Sequence, residues 1–480
     1  MKQLIVLPAL LAIFAMPGLS QPPDTLWTRT YGTIWAEGAR AMEITSDGGC
    51  IIVGQTFPND TSDIYLLKVN SLGDTLWTRT YGGWSWEAAY DVKQTYDGGY
   101  VIVGETNSFG EGYPLCFVKT DSSGNQQWLR TFSFSSENIG FATEQCTDGG
   151  YLIAGVVHHW NPYESHALVI RTDCNGDTLW TRLYGGETGA GAYDIEPTSD
   201  GNYIFAGHTG TSGWEVLLVK IDGNGDILWQ RSYNPDLAGG ACCIKETSDG
   251  GFIVGAYVTV PCMYADIYVL RTDANGDTLW TRIFTFPNAD EFVYDVVETA
   301  DHGFVFVGRN SPGYLGDDVY AFKIADDGVI QWEQNYGGLS SDGAYAIEGT
   351  GDGGFLLAGA TSSFGAGAGD VYLIRLGPEE PPSVPHGKVE MFAKTFALHP
   401  AYPNPFNSST VLRYEVPMSG PVRLTIHNLL GQQVATVVDR TMSVGSYSAI
   451  WNASNMPSGI YFCRLSTPGF QSVRKMVLIR

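Results

Sequence analysis

The chain is poor in charge, and what it has is mostly of one sign. Asp, Glu, Lys and Arg make up 16% of 480 residues, and 27 basic residues face 51 acidic ones, a formal net charge of -24. A basic surface for nucleic acid is therefore missing, as is a polybasic stretch for a membrane surface. The sequence has no CxxC pair, and its eight cysteines are irregularly spaced, which argues against a thiolate metal site. GxSxG, HExxH and GxxxxGK[ST] are all missing, and so is 3.6-residue apolar spacing. After the first twenty residues no apolar run is long enough to cross a membrane as a helix. Glycine (59), tyrosine (26) and tryptophan (13) are plentiful, and 44% of residues are hydrophobic. That composition excludes a disordered acidic chain and points to many short strands joined by tight turns.

The first twenty residues read as an export signal. Lys2 precedes the apolar stretch 4–19, which is interrupted by prolines and followed by small residues at Gly18 and Ser20. Cleavage is expected near Ser20. Export permits disulfides, although 480 residues do not need them for stability; Cys262 with Cys242 or Cys243 is one candidate pair.

Three phrases then recur seven times. A tryptophan phrase, GDTLWTRTYGG in its fullest form, places Trp27, Trp77, Trp128, Trp180, Trp229, Trp280 and Trp332. A DGG-type turn begins at Asp47, Asp97, Asp148, Asp200, Asp249, Asp301 and Asp352. A DVYLLKVD-like strand carries Lys68, Lys119, Arg171, Lys220, Arg271, Lys323 and Arg375. Each period of about fifty residues reads as four antiparallel strands with Asp-Gly turns, which predicts a seven-bladed β-propeller. The tryptophan strand at 25–31 precedes any complete repeat, and the last repeat ends without one, so the N-terminal strand is expected to complete the seventh set of four.

Several residues are candidates for function. Trp84, Trp86, Trp160 and Trp214 fall in variable loops, where exposed aromatics suit a sugar face or a protein partner; the alternative is packing over strand edges. Six residues before each turn Asp stand Asp91, Asp194 and Asp295, alternating with Ala41, Ala142, Cys243 and Ala346. They either ring a channel or accept backbone N–H bonds from a neighbouring sheet. Glu37, Glu87, Glu291 and Asp342 share a position ten residues before a turn Asp and read as repeated turn chemistry. Arg79, Arg182 and Arg282 in the WTR phrase read as paired with strand or turn carboxylates rather than as catalytic. The DGNGD and DANGD turns place oxygens at alternate positions but lack the bidentate Glu of a calcium loop, and His158, His159 and His166 near Glu164 have no second histidine set. No metal, cofactor or catalytic residue is assigned.

The last 86 residues differ from the rest. Residues 395–480 hold seven basic and two acidic side chains, +5, leaving -29 for the preceding 394. A Pro-rich linker at 377–394 separates them, and strand-like runs between Gly and Pro predict an Ig-like β-sandwich. The segments YPNPFNSSTVLRYEVP, VRLTIHNLLGQQVATVV and GSYSAIWNASNMPSGIYFCRL, with the ending RKMVLIR, resemble the type A C-terminal sorting domain of the bacterial type IX secretion system. Asn404, Pro405, Phe406, Asn407, Gly431, Gly459 and Tyr461 carry the match; FlgD-like Ig modules are the nearest similar class. The resemblance implies export through the periplasm and outer membrane, with secretion machinery and a sortase-like peptidase as partners, and a secreted or surface-held product.

The expected architecture is all-β: a signal peptide at 1–20, a seven-bladed β-propeller at 21–376, a linker at 377–394 and the sorting sandwich at 395–480. The expected function is a noncatalytic binding module for glycan or surface protein. A secreted polysaccharide hydrolase or lyase using the channel is the alternative, and a structural surface protein is the third reading.

Overall fold

The computed structural model describes residues 21–379 and 396–479, except 59–60, 161–162, 186–188, 211–213, 235–237, 260–264, 286–288, 312–315, 399–400, 402–403, 405, 407–408, 417–419, 443–444 and 454–455. The signal segment, most of the linker, Cys262, Pro405 and Asn407 lie outside the described residues. The chain divides into two compact units, Met1–Pro382 and Ser383–Arg480.

In the first unit every repeat becomes one antiparallel sheet of four strands. Sheet I runs from Glu37–Ile44 through Cys50–Thr56 and Asp63–Val69 to Thr75–Tyr81. Sheets II to VI open with Glu87–Gln94, Glu137–Gln145, Ala190–Pro197, Ala238–Glu246 and Asp290–Glu298, and close with the tryptophan strand of the same repeat. Sheet VII holds Asp342–Gly349, Phe355–Thr361 and Asp370–Leu376, and its fourth strand is the N-terminal Thr25–Tyr31, antiparallel to Asp370–Leu376 with Trp27 opposite Arg375.

The two central strands of each sheet are buried on both faces, so their alternate side chains pack in opposite directions. The core therefore lies in the seams. Ile51, Val53, Leu66 and Ile64 of sheet I meet Val92, Ile102 and Val118 of sheet II, and the other face of sheet I, with Ile52 and Leu67, meets Ala358 and Leu373 of sheet VII. Each first strand also packs against the first strand of the next sheet, and that of sheet VII against that of sheet I.

The expected fold class needs correction. The chain is all-β, but among the described residues its strands form nine discrete open sheets, none of which closes or curls on itself. The seven-bladed propeller with an Ig-like sandwich is replaced by that coarser description. Counting repeats yields the number of four-stranded sheets, because strand pairing within a period is local; it does not yield a closed sheet.

The repeated phrases meet in space. All seven third-phrase cations reach the Asp that opens the DGG turn of their own sheet, as in Lys68–Asp47 at 3.0 Å, Lys220–Asp200 at 2.7 Å and Arg271–Asp249 at 2.7 Å. The cation is buried and its Asp half-exposed. Asp47 also accepts the Thr45 hydroxyl and the Gly49 N–H, so the turn, the third strand and the ammonium form one unit. Tryptophans and arginines of the WTR phrase work across a seam. Arg79 lies over Trp77 at 5.4 Å, and both cover Gly124 in the turn of sheet II, where φ of +77° and the lack of space for a Cβ require glycine. Tyr81 donates its hydroxyl to the Gly124 carbonyl at 2.6 Å.

The second unit places a three-stranded sheet (Ala397–Leu398, Ser409–Val416, Gly445–Asn452) and a four-stranded one (Gln433–Met442, Gly420–Asn428, Gly459–Thr467, Phe470–Leu478) around one core containing Phe406, Trp451, Tyr461 and Leu424.

Asp200→Ala should destabilise the first unit by about 1–3 kcal/mol, because Lys220 would stay buried without its carboxylate; a urea melt against wild type measures it. The Thr350 hydroxyl and Arg375 hold Asp352 at about 2, and Asp47 is likewise held at about 2. These depressed values stabilise the fold above the unfolded carboxylate range of about 4, and the gain is lost as pH falls through about 2. An acid melt should show a cooperative loss in that window, shifted upward in the Asp200 variant.

Deleting 21–32 should lower the melting temperature by exposing the edge strand Asp370–Leu376. An unchanged melt would show that the terminal strand contributes no stability.

Candidate functional site

Charged and aromatic side chains from the first strands converge in successive tiers. The Asp tier is Asp91, Asp194 and Asp295. Asp91 accepts the Thr143 N–H at 2.9 Å, Asp194 the Ile244 N–H at 2.8 Å, and Asp295 the Ile347 N–H at 2.8 Å. Each Asp thus joins one first strand to the next, and the small residues Ala142, Cys243 and Ala346 occupy the corresponding positions on the accepting sheets.

Two residues further along each strand lies a tier the sequence reading missed: Glu43, Lys93, Glu144, Glu196, Lys245 and Glu348, with Val297 in sheet VI. Lys93 pairs with Glu144 at 2.7 Å and Lys245 with Glu196 at 2.6 Å, both across seams. Glu43 accepts the Gln94 N–H of sheet II. The signal was available, since all seven positions stand four residues before a turn Asp.

Electrostatics link sheets that are not neighbours. Burial, then Glu196, then Asp295 of sheet VI push Asp194 up to about 8, against the Ile244 N–H and Lys93. Burial raises Glu144 to about 7 despite Lys93, with Glu196 adding to the rise. Burial and Asp295 raise Glu348 to about 7, against Lys93 and Lys245. Burial raises Asp295 to about 6. Several of these carboxyls therefore hold protons near neutrality, while Glu196 is held in its ion pair with Lys245.

The residue before each Asp is aromatic: Tyr90, Tyr193 and Tyr294, joined by Phe141 and Tyr345 of the intervening sheets. Tyr90 contacts Phe141 at 5.1 Å between centroids, and Phe141 contacts Tyr193 at 5.0 Å. Tyr193 stacks on His208 at 5.4 Å, and His208 stacks on Trp214 at 4.3 Å. On the other side Tyr294 meets Tyr345 at 4.8 Å, with exposed Arg40 over Tyr345 at 4.8 Å. His208 is buried, and burial followed by His158 lowers it to about 4, so it is a neutral ring at physiological pH.

Of the loop tryptophans, Trp214 is the one tied by stacking to this aromatic series. Trp84 and Trp86 are 77% and 40% exposed, while the side chain of Trp160 lies outside the described residues. His159 and His166 are 6.1 Å apart between centroids, and among the described residues no group of three or more His, Cys, Asp or Glu is arranged for a metal. In the DGNGD turn Asp222 accepts the N–H groups of Asn224 at 2.8 Å and Asp226 at 2.9 Å, so that oxygen is used by its own turn.

In the second unit, Asn404 accepts the Val477 N–H at 2.7 Å and donates to the Lys475 carbonyl at 3.1 Å. Phe406 exchanges backbone bonds with Val477 and Ile479 and packs on Trp451. The PNPFN segment thus fastens the last strand. Gly431 takes φ of +77° in a turn, and the Tyr461 hydroxyl donates to the Pro457 carbonyl at 2.8 Å. Gly459 has open space where a Cβ would stand, so packing does not require glycine there.

Residues 400–479 match a family model described as a secretion system C-terminal sorting domain, and the chain carries that domain. No curated protein matches the chain in sequence. Among solved structures, it is similar to a fungal alcohol oxidase of the AA5 family in complex with copper (8% identity, 96% of this chain and 100% of that one, TM-score 0.44). It is also similar to a puromycin hydrolase (11%, 83% and 61%, TM-score 0.45) and to an ulvan lyase of polysaccharide lyase family PL25 (10%, 73% and 96%, TM-score 0.49). These neighbours are enzymes, so the expected preference for a noncatalytic protein is withdrawn. At such identities and TM-scores they transfer no reaction or substrate. Among the described residues no helix is long and apolar enough to cross a membrane.

Carboxyl 13C NMR should show Asp or Glu resonances titrating above pH 6, because burial and like charge raise Asp194, Glu144 and Glu348. Since folded values exceed unfolded ones, this cluster contributes stability below about pH 4 and loses it as pH rises through 6–8. Asp194→Asn should remove one high-pH titration; its persistence would refute the assignment.

Proposed function

We propose that the protein is exported by the type IX route and acts as a polysaccharide hydrolase or lyase at the converging first strands. The observation that carries this reading is a pair of carboxyls on one strand with opposite environments. Burial and like charge raise Asp194 to about 8, so it carries a proton at neutral pH, and Glu196 is paired with Lys245 at 2.6 Å. Two such groups supply an acid and a base together. Asp194 accepts the Ile244 N–H through Oδ2, which leaves Oδ1 to carry the proton it donates to a departing sugar oxygen. Glu196 then serves as the base, toward water in hydrolysis or a ring proton in elimination. Tyr193, His208 and Trp214 form a stacked platform beside them, the surface a sugar face favours.

Domain limits follow the same proposal: a signal peptide at 1–20, the acting unit at 21–376, a linker at 377–394 and the sorting tail at 395–480, recognised by the type IX machinery and a sortase-like peptidase.

Product detection on neutral and acidic polysaccharides with the mature chain tests the reaction. Asp194→Asn and Glu196→Gln should each lower kcat at least a hundredfold with the fold retained, while Trp214→Ala should raise KM. No turnover on any polysaccharide overturns the enzyme reading. Secretion of the full chain against one ending at Lys394, in a type IX-competent host, tests delivery; equal surface appearance would make the tail a spacer.

A further inference from the structure

A second set of acids lies in the seams, apart from the converging strands. Five residues before each third-phrase cation stand Asp63, Pro114, His166, Glu215, Asp266, Asp318 and Asp370. Across the seam, ten residues before the turn Asp of the next sheet, stand Glu87, Asn138, Ala190, Gly239, Glu291, Asp342 and Glu37. The second position is acidic in four seams, and in those four alone the first is Asp. The acids come in facing pairs: Asp63 with Glu87, Asp266 with Glu291, Asp318 with Asp342, and Asp370 with Glu37.

The geometry brings three of the pairs together directly, and Asp266 with Glu291 holds the equivalent positions in its seam. A Cβ on Gly82 would fall on Asp63 Oδ1 and against Glu87 Oε2; one on Gly337 would fall on Asp318 Oδ1 and Asp342 Oδ2; one on Gly32 would fall on Asp370 Oδ1 and Glu37 Oε2. The first glycine of the YGG phrase is thus the space two carboxyl groups occupy. Six of the eight acids are at most 3% exposed. Backbone and hydroxyl donors hold several of these acids in place: the Gly83 N–H donates to Glu87 Oε2 and the Thr106 hydroxyl to its Oε1, the Thr33 N–H donates to Glu37 Oε2 and the Thr56 hydroxyl to its Oε1, and the Gly338 N–H and Ser363 hydroxyl both donate to Asp342 Oδ2. Asp342 Oδ1 and both oxygens of Glu291 have no hydrogen-bond partner among the described residues.

We propose that three of these facing pairs, Asp63 with Glu87, Asp266 with Glu291 and Asp318 with Asp342, each share one proton, forming a pH-sensitive clasp between neighbouring sheets. Two buried carboxylates so placed repel each other, and one proton turns the repulsion into a hydrogen bond. Among the described residues no lysine, arginine or histidine is paired with these acids. Asp63 is raised by burial and then Glu87; Asp318 is raised to about 6 by burial, then Asp342 and Asp317; Glu291 is raised to about 8 by burial, then Asp266 and Asp290. Asp266 is raised by burial and Asp290 and eased by the Thr285 hydroxyl. Arg309 is taken by Asp317 at 3.2 Å. The other titratable groups facing the pairs are Tyr65 beside Glu37 and Asp370, Cys116 beside Glu87, and Tyr320 beside Glu291. The inference is independent of the proposed enzyme activity.

Because these folded values lie above the unfolded ones, the clasps stabilise at low pH and release as pH rises through about 6–8. Thermal melts of the mature chain from pH 5 to 9, compared with Asp318→Asn and Glu291→Gln, test this. An amide donates its hydrogen bond at every pH, so each variant should melt above wild type at pH 8, with the difference vanishing or reversing at pH 5. Taking differences removes the titration of Asp194, Glu144 and Glu348, common to both proteins. A pH-independent difference overturns the proposal. Stabilisation of wild type but not the variants by 1 mM calcium at pH 8 also overturns it, assigning the pairs to a cation. If either variant fails to fold, Asp63→Asn serves, together with the infrared band of protonated carboxyl, which should weaken in the variant.

Discussion

The first unit depends on burying both faces of every sheet. Seven short meanders, each too small to be stable alone, obtain a core only where two of them meet. Every apolar strand pair therefore serves two seams at once, with Ile52 and Leu67 turned to one neighbour and Ile51 and Leu66 to the other. The N-terminal strand beside Asp370–Leu376 follows from this requirement, because without it the last sheet would present an unpaired edge.

Polar groups within so much sheet must be paired, and the repeats solve this in a recurring way. Buried Lys or Arg meets the turn Asp, a tyrosine hydroxyl reaches the next turn, and the Asp tier reaches the next first strand. These contacts fix register within and between sheets, so a one-residue slip would break several of them together. The acids that lack cationic partners stand out against this background. They gather in the seam pairs and at the converging first strands, where burial holds protons on carboxyls that would otherwise be ionised.

Much of this was legible in single residues. Spacing gave seven four-stranded sheets and the terminal strand's destination, because hairpins and turns are local, whereas the arginines of the WTR phrase, expected beside carboxylates, lie over the tryptophans. The PNPFN and LGQQV-like segments marked the sorting tail before its strands were known. The tier containing Glu43, Lys93, Glu144, Glu196, Lys245 and Glu348 went unseen, although it has the same period, because acids and lysines alternate there and share no residue type. His208 gave no sign of its stack with Trp214, since the two belong to a contact made across a variable loop.

The sequence by itself determined the repeat, the number of sheets, the charge contrast between the two units and the sorting domain. Each rests on near neighbours in the chain or on a motif. Only the tertiary structure decided which carboxyls hold protons. The shifts of Asp194, Glu348 and Asp318 arise from burial and, besides the near neighbours Glu196 and Asp317, from acids on other sheets: Asp295 for Asp194 and Glu348, and Asp342 for Asp318. Coulomb energy and desolvation depend on distance in space, and chain position carries that distance only after the sheets have packed.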